Sequence, residues 1–136
     1  MIFIDTGAFV ARYIERDQYH DAAIEQWRTL RNDRRRCFTS NFVLDETITL
    51  LARRSTYQFA AERARNLFHS AALSILRPDE NDEFAAVELL QKYADQGVSF
   101  TDCVSFVLMT REHIKCAFSF DRHFRIAGFE VEPVEP

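Results

Sequence analysis

The sequence predicts a single α/β domain over residues 1–136, in which helices cover both faces of a central, mainly parallel sheet of four to five strands. Three observations favour this fold class. Short apolar runs alternate along the chain with longer segments whose apolar residues recur at the helical period, as in βαβ units. Only three Gly and three Pro interrupt the chain, too few for the many tight turns of an all-β sandwich. Apolar residues, including thirteen Phe, make up 47% of the chain, enough to fill one core.

The first half of the chain predicts two strands and four helices. The apolar run 1–5 ends at a Thr-Gly pair, which predicts a buried strand followed by a helix with Thr6 as its N-cap. Later segments are assigned by apolar period and by polar breaks such as Ser55-Thr56. The predicted order is a strand over 1–5, helices over 8–15 and 19–32, a strand over 37–39, and helices over 42–51 and 57–72.

The second half predicts three strands and two helices. Pro78 closes one strand, Asp79 is the predicted N-cap of the next helix, and Gly97 ends that unit. Thr101 is the predicted N-cap of a strongly apolar helix. The predicted order is a strand over 74–76, helices over 83–94 and 102–113, and strands over 116–120 and 129–132.

Charge and cysteine content restrict the classes of protein. The net charge of −4 is unevenly distributed: residues 1–65 carry 11 Lys and Arg against 9 Asp and Glu, whereas residues 66–136 carry 6 against 12. Three cysteines without metal-ligand spacing are typical of reduced, buried thiols. No charged leader with a following apolar stretch opens the chain, and no apolar run approaches the length of a membrane span. We therefore expect a soluble protein of the cytoplasm.

Four acids occupy positions that suit a metal site. Asp5 and Asp121 each end an apolar run, and the carboxyl ends of parallel strands are where α/β sheets bind ligands. Glu46 interrupts an apolar helical segment, and Asp102 begins another. Each also has an ordinary structural explanation. Asp5 and Asp121 suit turns, Asp102 suits the positive end of a helix dipole, and Glu46 could pair with an arginine or leave the inward position to Asp45.

The ordered segments IFIDTGAFVA, NFVLDETITLL, FTDCVSFVLM and FSFDRHF resemble the four acidic motifs of PIN-domain ribonucleases, in particular the VapC-type toxins of toxin–antitoxin pairs. The resemblance spans essentially the whole chain, with Gly7 as a mild departure. It implies a PIN-like three-layer α/β/α fold and metal-dependent hydrolysis of RNA phosphodiester bonds. The residues it assigns as catalytic and as ligands of Mg²⁺ or Mn²⁺ are Asp5, Glu46, Asp102 and Asp121. It further makes Thr6 and Thr101 candidate hydroxyls that orient these ligands.

The resemblance also implies partners. An RNA substrate, such as a transfer RNA or another structured RNA, would be drawn towards the acids by arginines of the stretches 28–36 and 53–65. A cognate antitoxin protein would lie in an apolar groove, for which Tyr57, Phe59 and Phe68 are candidates, and the chain would form a homodimer. His20, His69, His113 and His123 have no ligand spacing and are expected at the surface.

Two other classes of function remain open. A non-catalytic RNA- or protein-binding member of the same fold is one, although all four acids are present. A phosphoacceptor signalling domain is the other, but it would need paired acids early in the chain and a Lys after a late strand. Here one Asp ends the first strand, and Lys115 precedes its strand.

Overall fold

The computed structural model describes residues 1–134 and confirms the α/β class, with a five-stranded sheet in which all pairings are parallel. The last two residues of the predicted 1–136 domain lie outside the described residues. The strands are β1 (Ile2–Ile4), β2 (Cys37–Ser40), β3 (Leu73–Leu76), β4 (Cys116–Phe118) and β5 (Glu130–Glu132). The helices are α1 (Thr6–Tyr13), α2 (His20–Asn32), α3 (Asn41–Arg54), α4 (Tyr57–His69), α5 (Glu80–Lys92), α6 (Phe100–Arg111) and α7 (His123–Ile126), with a 3₁₀ helix at Ala94–Gln96.

The sheet has the strand order β3-β2-β1-β4-β5, so β1 is central. All three of its side chains, Ile2, Phe3 and Ile4, are fully buried because helices cover both faces. A strand buried on both faces is a continuous apolar run rather than an alternating one, as the sequence here is. β1 pairs with β2 on one side and with β4 on the other, which places the residues that follow β1 and β4 next to each other.

Phenylalanine mainly fills the core between sheet and helices. Phe118 of β4 packs against Trp27 of α2 with ring centroids 5.2 Å apart, and Trp27 in turn lies 5.6 Å from Phe9 of α1. On another part of the core, Phe106 of α6 contacts Phe124 edge-on at 5.1 Å. Such pairs are worth roughly 0.5–1.5 kcal/mol beyond their area burial. In the described part of the chain, no helix is long and apolar enough to cross a membrane.

Two of the predicted N-caps are wrong, and both lie next to acids of the site. Thr6 is the first helical residue rather than the N-cap, which is Asp5. Thr101 likewise lies inside α6, whose N-cap is Ser99; the Ser99 hydroxyl accepts a hydrogen bond from the Asp102 amide at 3.1 Å. A cap must reach the amide three residues on, and Ser99 stands three residues before Asp102. The short helix α7 was not predicted, since four residues show no period.

Candidate active site at the carboxyl edge of the sheet

All four predicted acids line one cavity of about 710 Å³ at the carboxyl edge of the sheet. Asp5 directly follows β1, and Asp121 stands three residues after β4, the neighbouring parallel strand. Asp102 comes from the first turn of α6 and Glu46 from α3. The chain thus brings together residues that are more than a hundred positions apart. The other lining residues are Thr6, Gly7, Val10, Asp17, Gln18, Tyr19, Leu50, Arg54, Gly97, Ser99, Phe120, Arg122 and His123.

Asp5 is the most deeply placed acid, with 6% of its surface exposed. Its Oδ2 accepts a hydrogen bond of 2.8 Å from the Ser119 hydroxyl. Burial, together with the negative charge of Asp102, raises the pKa of Asp5 from 3.8 to about 7. Near neutral pH the carboxyl group of Asp5 is therefore divided between its protonated and ionised forms.

Asp102 is also buried, and burial together with the charge of Asp121 raises its pKa to about 6. The charge of Glu46 acts in the same direction. Carboxylates that raise one another's pKa do so because no nearby positive charge offsets their repulsion, and a bound cation commonly offsets it.

Glu46, rather than its neighbour Asp45, is turned towards the site. Glu46 is half-buried and lines the cavity, whereas Asp45 is exposed and does not line it. The alternative left open by the sequence, with Asp45 facing inward, is therefore wrong.

His123 joins two of the acids and was missed at the level of sequence. Its Nδ1 lies 3.2 Å from Asp102 Oδ2 and 3.1 Å from Asp121 Oδ1, and its backbone amide donates to Asp121 Oδ1 at 2.9 Å. The expectation that all four histidines lie at the surface is wrong for His123 and also for His20, which is half-buried with its Nδ1 2.7 Å from the Ala11 carbonyl. The available signal was the Asp-x-His spacing: a turn after Asp121 starts α7 at His123 and folds the ring back over the acids.

Ser119 is the second residue that sequence reasoning missed. Its hydroxyl donates to Asp5 and accepts a hydrogen bond of 3.0 Å from the Asp121 amide, so one side chain fixes both strand-end acids. Of the two predicted hydroxyl residues, Thr6 lines the cavity, is buried, and its Oγ1 has no hydrogen-bond partner among the described residues. Thr101 is half-buried and is not among the residues that line the cavity.

The side chains present fit a divalent cation. One atom each from Asp102, Asp121 and His123 can be chosen so that all three lie within 4.8 Å of one another. The unpartnered, buried hydroxyl of Thr6 is a further oxygen at the same cavity, and buried polar atoms normally have a partner. Carboxylate and hydroxyl oxygens suit Mg²⁺ and Mn²⁺, and an imidazole nitrogen suits the transition metal.

Of the two predicted arginine stretches, 28–36 lies away from the acids, whereas 53–65 contributes one residue, Arg54, to their cavity. Among the described residues, only Arg54 and Arg122 line the acidic cavity, and Arg54 is paired with Asp17 at 2.8 Å. Arg31, Arg34, Arg35 and Arg36 instead line a separate cavity beside the starts of β2 and β3. The stretch 28–36 ends α2 and leads into β2, so it lies at the amino edge of the sheet, opposite the acids.

A parallel α/β sheet with four acids converging beyond the ends of its strands is the arrangement of a PIN-type nuclease domain. The family model described as PIN domain matches residues 2–130, and the chain belongs to this family.

Individual proteins similar to this chain carry names that state an activity. The 23S rRNA-specific endonuclease VapC20 of Mycobacterium tuberculosis is 35% identical over 134 residues, which cover 98% of this chain and 99% of VapC20. A VapC ribonuclease of Archaeoglobus fulgidus is 30% identical over 125 residues, covering 90% and 78% of the two chains. The crystal structure of M. tuberculosis VapC20, described as a sarcin-ricin loop cleaving toxin, superimposes with a TM-score of 0.86 and 32% identity over the full length of both chains.

Proposed function

We propose that this chain is a metal-dependent endoribonuclease, the toxin of a toxin–antitoxin pair, that hydrolyses phosphodiester bonds in exposed loops of structured RNA. The observation that carries the proposal is the convergence of four carboxylates and the unpartnered Thr6 hydroxyl on one open cavity. The names of the VapC relatives support ribonuclease activity and the pairing with an antitoxin. Such a toxin would act in the cytoplasm, where its RNA target lies.

Asp5, Asp102, Asp121 and Glu46 are the proposed ligands of Mg²⁺ or Mn²⁺, directly or through water. A bound divalent cation supplies activation of water as the nucleophile and offsets the negative charge that develops at the phosphate. The Ser119 hydroxyl fixes the positions of the Asp5 carboxyl group and the Asp121 backbone amide by hydrogen bonds. The His123 ring contacts the carboxyl groups of both Asp102 and Asp121 and keeps them close together. Thr6 is the proposed hydroxyl that orients the ligands, whereas Thr101, the second predicted hydroxyl, does not line the cavity and is assigned no role.

The raised pKa values of Asp5 and Asp102 give metal binding a pH dependence. A cation binds the ionised carboxylates and must displace the protons that burial favours. Metal affinity should therefore increase as the pH rises through about 6 to 7, where these two groups lose their protons. Without a cation, the raised pKa values of Asp5 and Asp102 favour protonation of these two groups and so reduce the negative charge of the site.

Substrate and partners follow from shape and charge. An acidic cavity recessed at the edge of a sheet favours a splayed, single-stranded phosphate backbone over a stacked duplex. Given the rRNA-specific relative, we propose ribosomal RNA as the first substrate to test and transfer RNA as the second.

An antitoxin that places a basic side chain in the cavity would inhibit by charge complementarity. Tyr57, which is 82% exposed, and Phe68 of α4 remain the proposed residues of the antitoxin groove. The third candidate, Phe59, is half-buried and packs against the core cluster that contains Leu51. The exposed Phe84, Val87 and Leu90 of α5 would form a homodimer contact.

The test is cleavage of purified ribosomal RNA and of a transfer-RNA pool by protein freed of antitoxin. We expect discrete fragments with Mg²⁺ or Mn²⁺, and none with EDTA or with Asp5→Asn or Asp102→Asn. Asp45→Asn is the matched control, because Asp45 is an exposed acid beside Glu46 and should leave the fragments unchanged. Intact RNA in every reaction with folded wild-type protein would contradict the proposal and favour a non-catalytic RNA- or protein-binding role.

A further inference from the structure

A second cavity, of about 560 Å³, lies at the amino edge of the sheet and has no part in the chemistry above. We call it the arginine cavity. It is lined by the residues that lead into β2 and β3, by one face of α2 and by α1 and the end of α4. These residues are Phe9, Arg12, Trp27, Leu30, Arg31, Arg34, Arg35, Arg36, Cys37, Leu67, Ser70, Ala71, Ala72, Leu73 and Ser74.

The charged side chains that line the arginine cavity are positive. Among the described residues, five arginines and no Asp or Glu line the cavity. Glu132 of β5 pairs with Arg35 at 2.9 Å, but the described residues supply no carboxylate partner within ion-pair distance to the other four. In a chain with a net charge of −4, this is a local concentration of positive charge. It suits an anion, and guanidinium groups suit phosphate through paired hydrogen bonds.

The backbone brings these arginines to one place. The Arg35 amide donates to the Leu30 carbonyl at 3.0 Å, which closes the end of α2, and Arg34 there has a φ of 52°. Glycine adopts this left-handed conformation at less cost than a residue with a Cβ, by about 1 kcal/mol. The resulting turn places three consecutive arginines on the rim of one cavity.

The interior of the cavity is suited to a base rather than to phosphate alone. Phe9, Leu30 and Leu67 are buried apolar residues of its wall, and Ser70 and Ser74 add hydroxyl groups. The Arg12 guanidinium lies over the Trp27 ring, 4.7 Å from its centroid. The Tyr13 ring also lies 5.5 Å from this guanidinium, so the apolar wall and the hydroxyl groups, rather than Arg12, carry the fit to a base. The volume lies within the range of roughly 300–1,000 Å³ of small-molecule sites.

We propose that the arginine cavity is an RNA-binding exosite that takes one unpaired nucleotide of the substrate, away from the bond that is cut. The inference rests on the proposed ribonuclease function and assigns to it a source of binding energy that the acidic cavity lacks. Acids repel a phosphate backbone before a cation is bound, whereas the arginines attract it. The strands between the two edges are three or four residues long, roughly 10–13 Å, so one folded RNA can reach both.

The test measures binding without cleavage. The Asp5→Asn protein in EDTA is titrated into a labelled RNA stem–loop with an unpaired loop, and fluorescence anisotropy is read at several salt concentrations. The exosite variant adds Arg31→Gln and Arg34→Gln. The matched control adds Arg77→Gln and Lys115→Gln, which remove the same charge from exposed positions that line neither cavity and lie outside the stretches 28–36 and 53–65. A third variant, Ala72→Trp, narrows the exosite without changing charge.

We expect the exosite variant to bind the RNA about tenfold more weakly than the control. Its plot of log affinity against log salt should be shallower by about 1.4, as expected for two lost phosphate contacts on single-stranded RNA. Ala72→Trp should also weaken binding, and thermal unfolding checks that each variant is folded. Equal affinity of the exosite and control variants would overturn the proposal, and so would full binding by Ala72→Trp. Full RNA binding by Ala72→Trp is also the result expected if the true occupant of the cavity is an acidic peptide.

The two proposals can fail separately. If wild-type protein cuts no RNA but the exosite variants lose RNA binding, the arginine cavity stands as an RNA-binding site and the ribonuclease function falls. If cleavage is established and the exosite variants bind like the control, only the exosite falls. Binding of adenosine monophosphate by the wild type, together with RNA binding that is indifferent to Arg31 and Arg34, would assign the cavity to free nucleotides and overturn the exosite.

Discussion

Replacing Asp5 by Asn should abolish metal-dependent activity and at the same time stabilise the metal-free protein. Asp5 is buried beside Asp102, and its pKa rises from 3.8 to about 7 on folding. A group whose pKa is raised in the folded state favours folding while it is protonated, and this contribution is lost as the pH rises through the folded pKa. Ionised Asp5 therefore destabilises the metal-free fold above about pH 7, and Asn cannot ionise.

The magnitude follows from the two pKa values. The interval from 3.8 to about 7 corresponds to about 4 kcal/mol, at about 1.4 kcal/mol for each tenfold change. The Ser119 hydroxyl can still donate to the side-chain oxygen of Asn, but the new amide group must find an acceptor, which costs about 1 kcal/mol. We expect Asp5→Asn to gain about 2–3 kcal/mol at pH 8, or about 6–10 °C in Tm. The gain should grow between about pH 4 and 7 and level off above.

The assay is urea unfolding in EDTA between pH 4 and 8, with Asp45→Asn as the control. Asp45 is exposed, so its replacement should change the free energy of unfolding by no more than about 0.5 kcal/mol. Added Mn²⁺ should raise the Tm of the wild type at pH 8 and leave Asp5→Asn almost unchanged. Equal stability of Asp5→Asn and Asp45→Asn at pH 8, or a difference between them that does not depend on pH, would contradict the raised pKa of Asp5.

Three further changes test the support of the site. His123→Gln should lower Mn²⁺ affinity about tenfold by calorimetry, with the exposed His113→Gln unchanged, because His123 fixes Asp102 and Asp121; equal affinities would remove His123 from the site. Ser99→Ala should cost about 1 kcal/mol in urea unfolding, since the cap bond to the Asp102 amide is lost. Phe118→Ala should cost about 3–5 kcal/mol by the same measurement, because a fully buried ring leaves a cavity.

The sheet was predictable because its strands are short, apolar and buried on both faces. All five strands were assigned within two residues, and the parallel pairing followed from the helices between them. The caps were harder, because a Ser or Thr can serve as cap only if its oxygen reaches the correct amide. Ser99, Phe100 and Thr101 form a run in which either hydroxyl residue suits the pattern, and the geometry selects Ser99.

Asp5 and Asp121 were predicted from strand ends, and Glu46 and Asp102 from their places in apolar helical segments. The residues that hold these acids were not predicted. Ser119 has two hydrogen-bond partners: Asp5, which is 114 residues away in the sequence, and Asp121, which is two residues away. Only the adjacency of β1 and β4 makes both contacts possible. His123 depended on α7, which is too short to leave a periodic signal. These are contacts of tertiary structure, and a single sequence shows them only as ordinary polar residues near a turn.

The position of the arginines, in contrast, could have been inferred from topology. In a parallel sheet, a helix that follows a strand runs back, so the chain leading into the next strand lies at the amino edge. Residues 28–36 lead directly into β2 and must lie opposite the acids that follow β1 and β4. The same rule places the four acids and the arginines of residues 28–36 at opposite edges of the sheet. On the two proposals above, the carboxylates would gather around a cation at one edge without being neutralised by these arginines, which would stay available for RNA at the other.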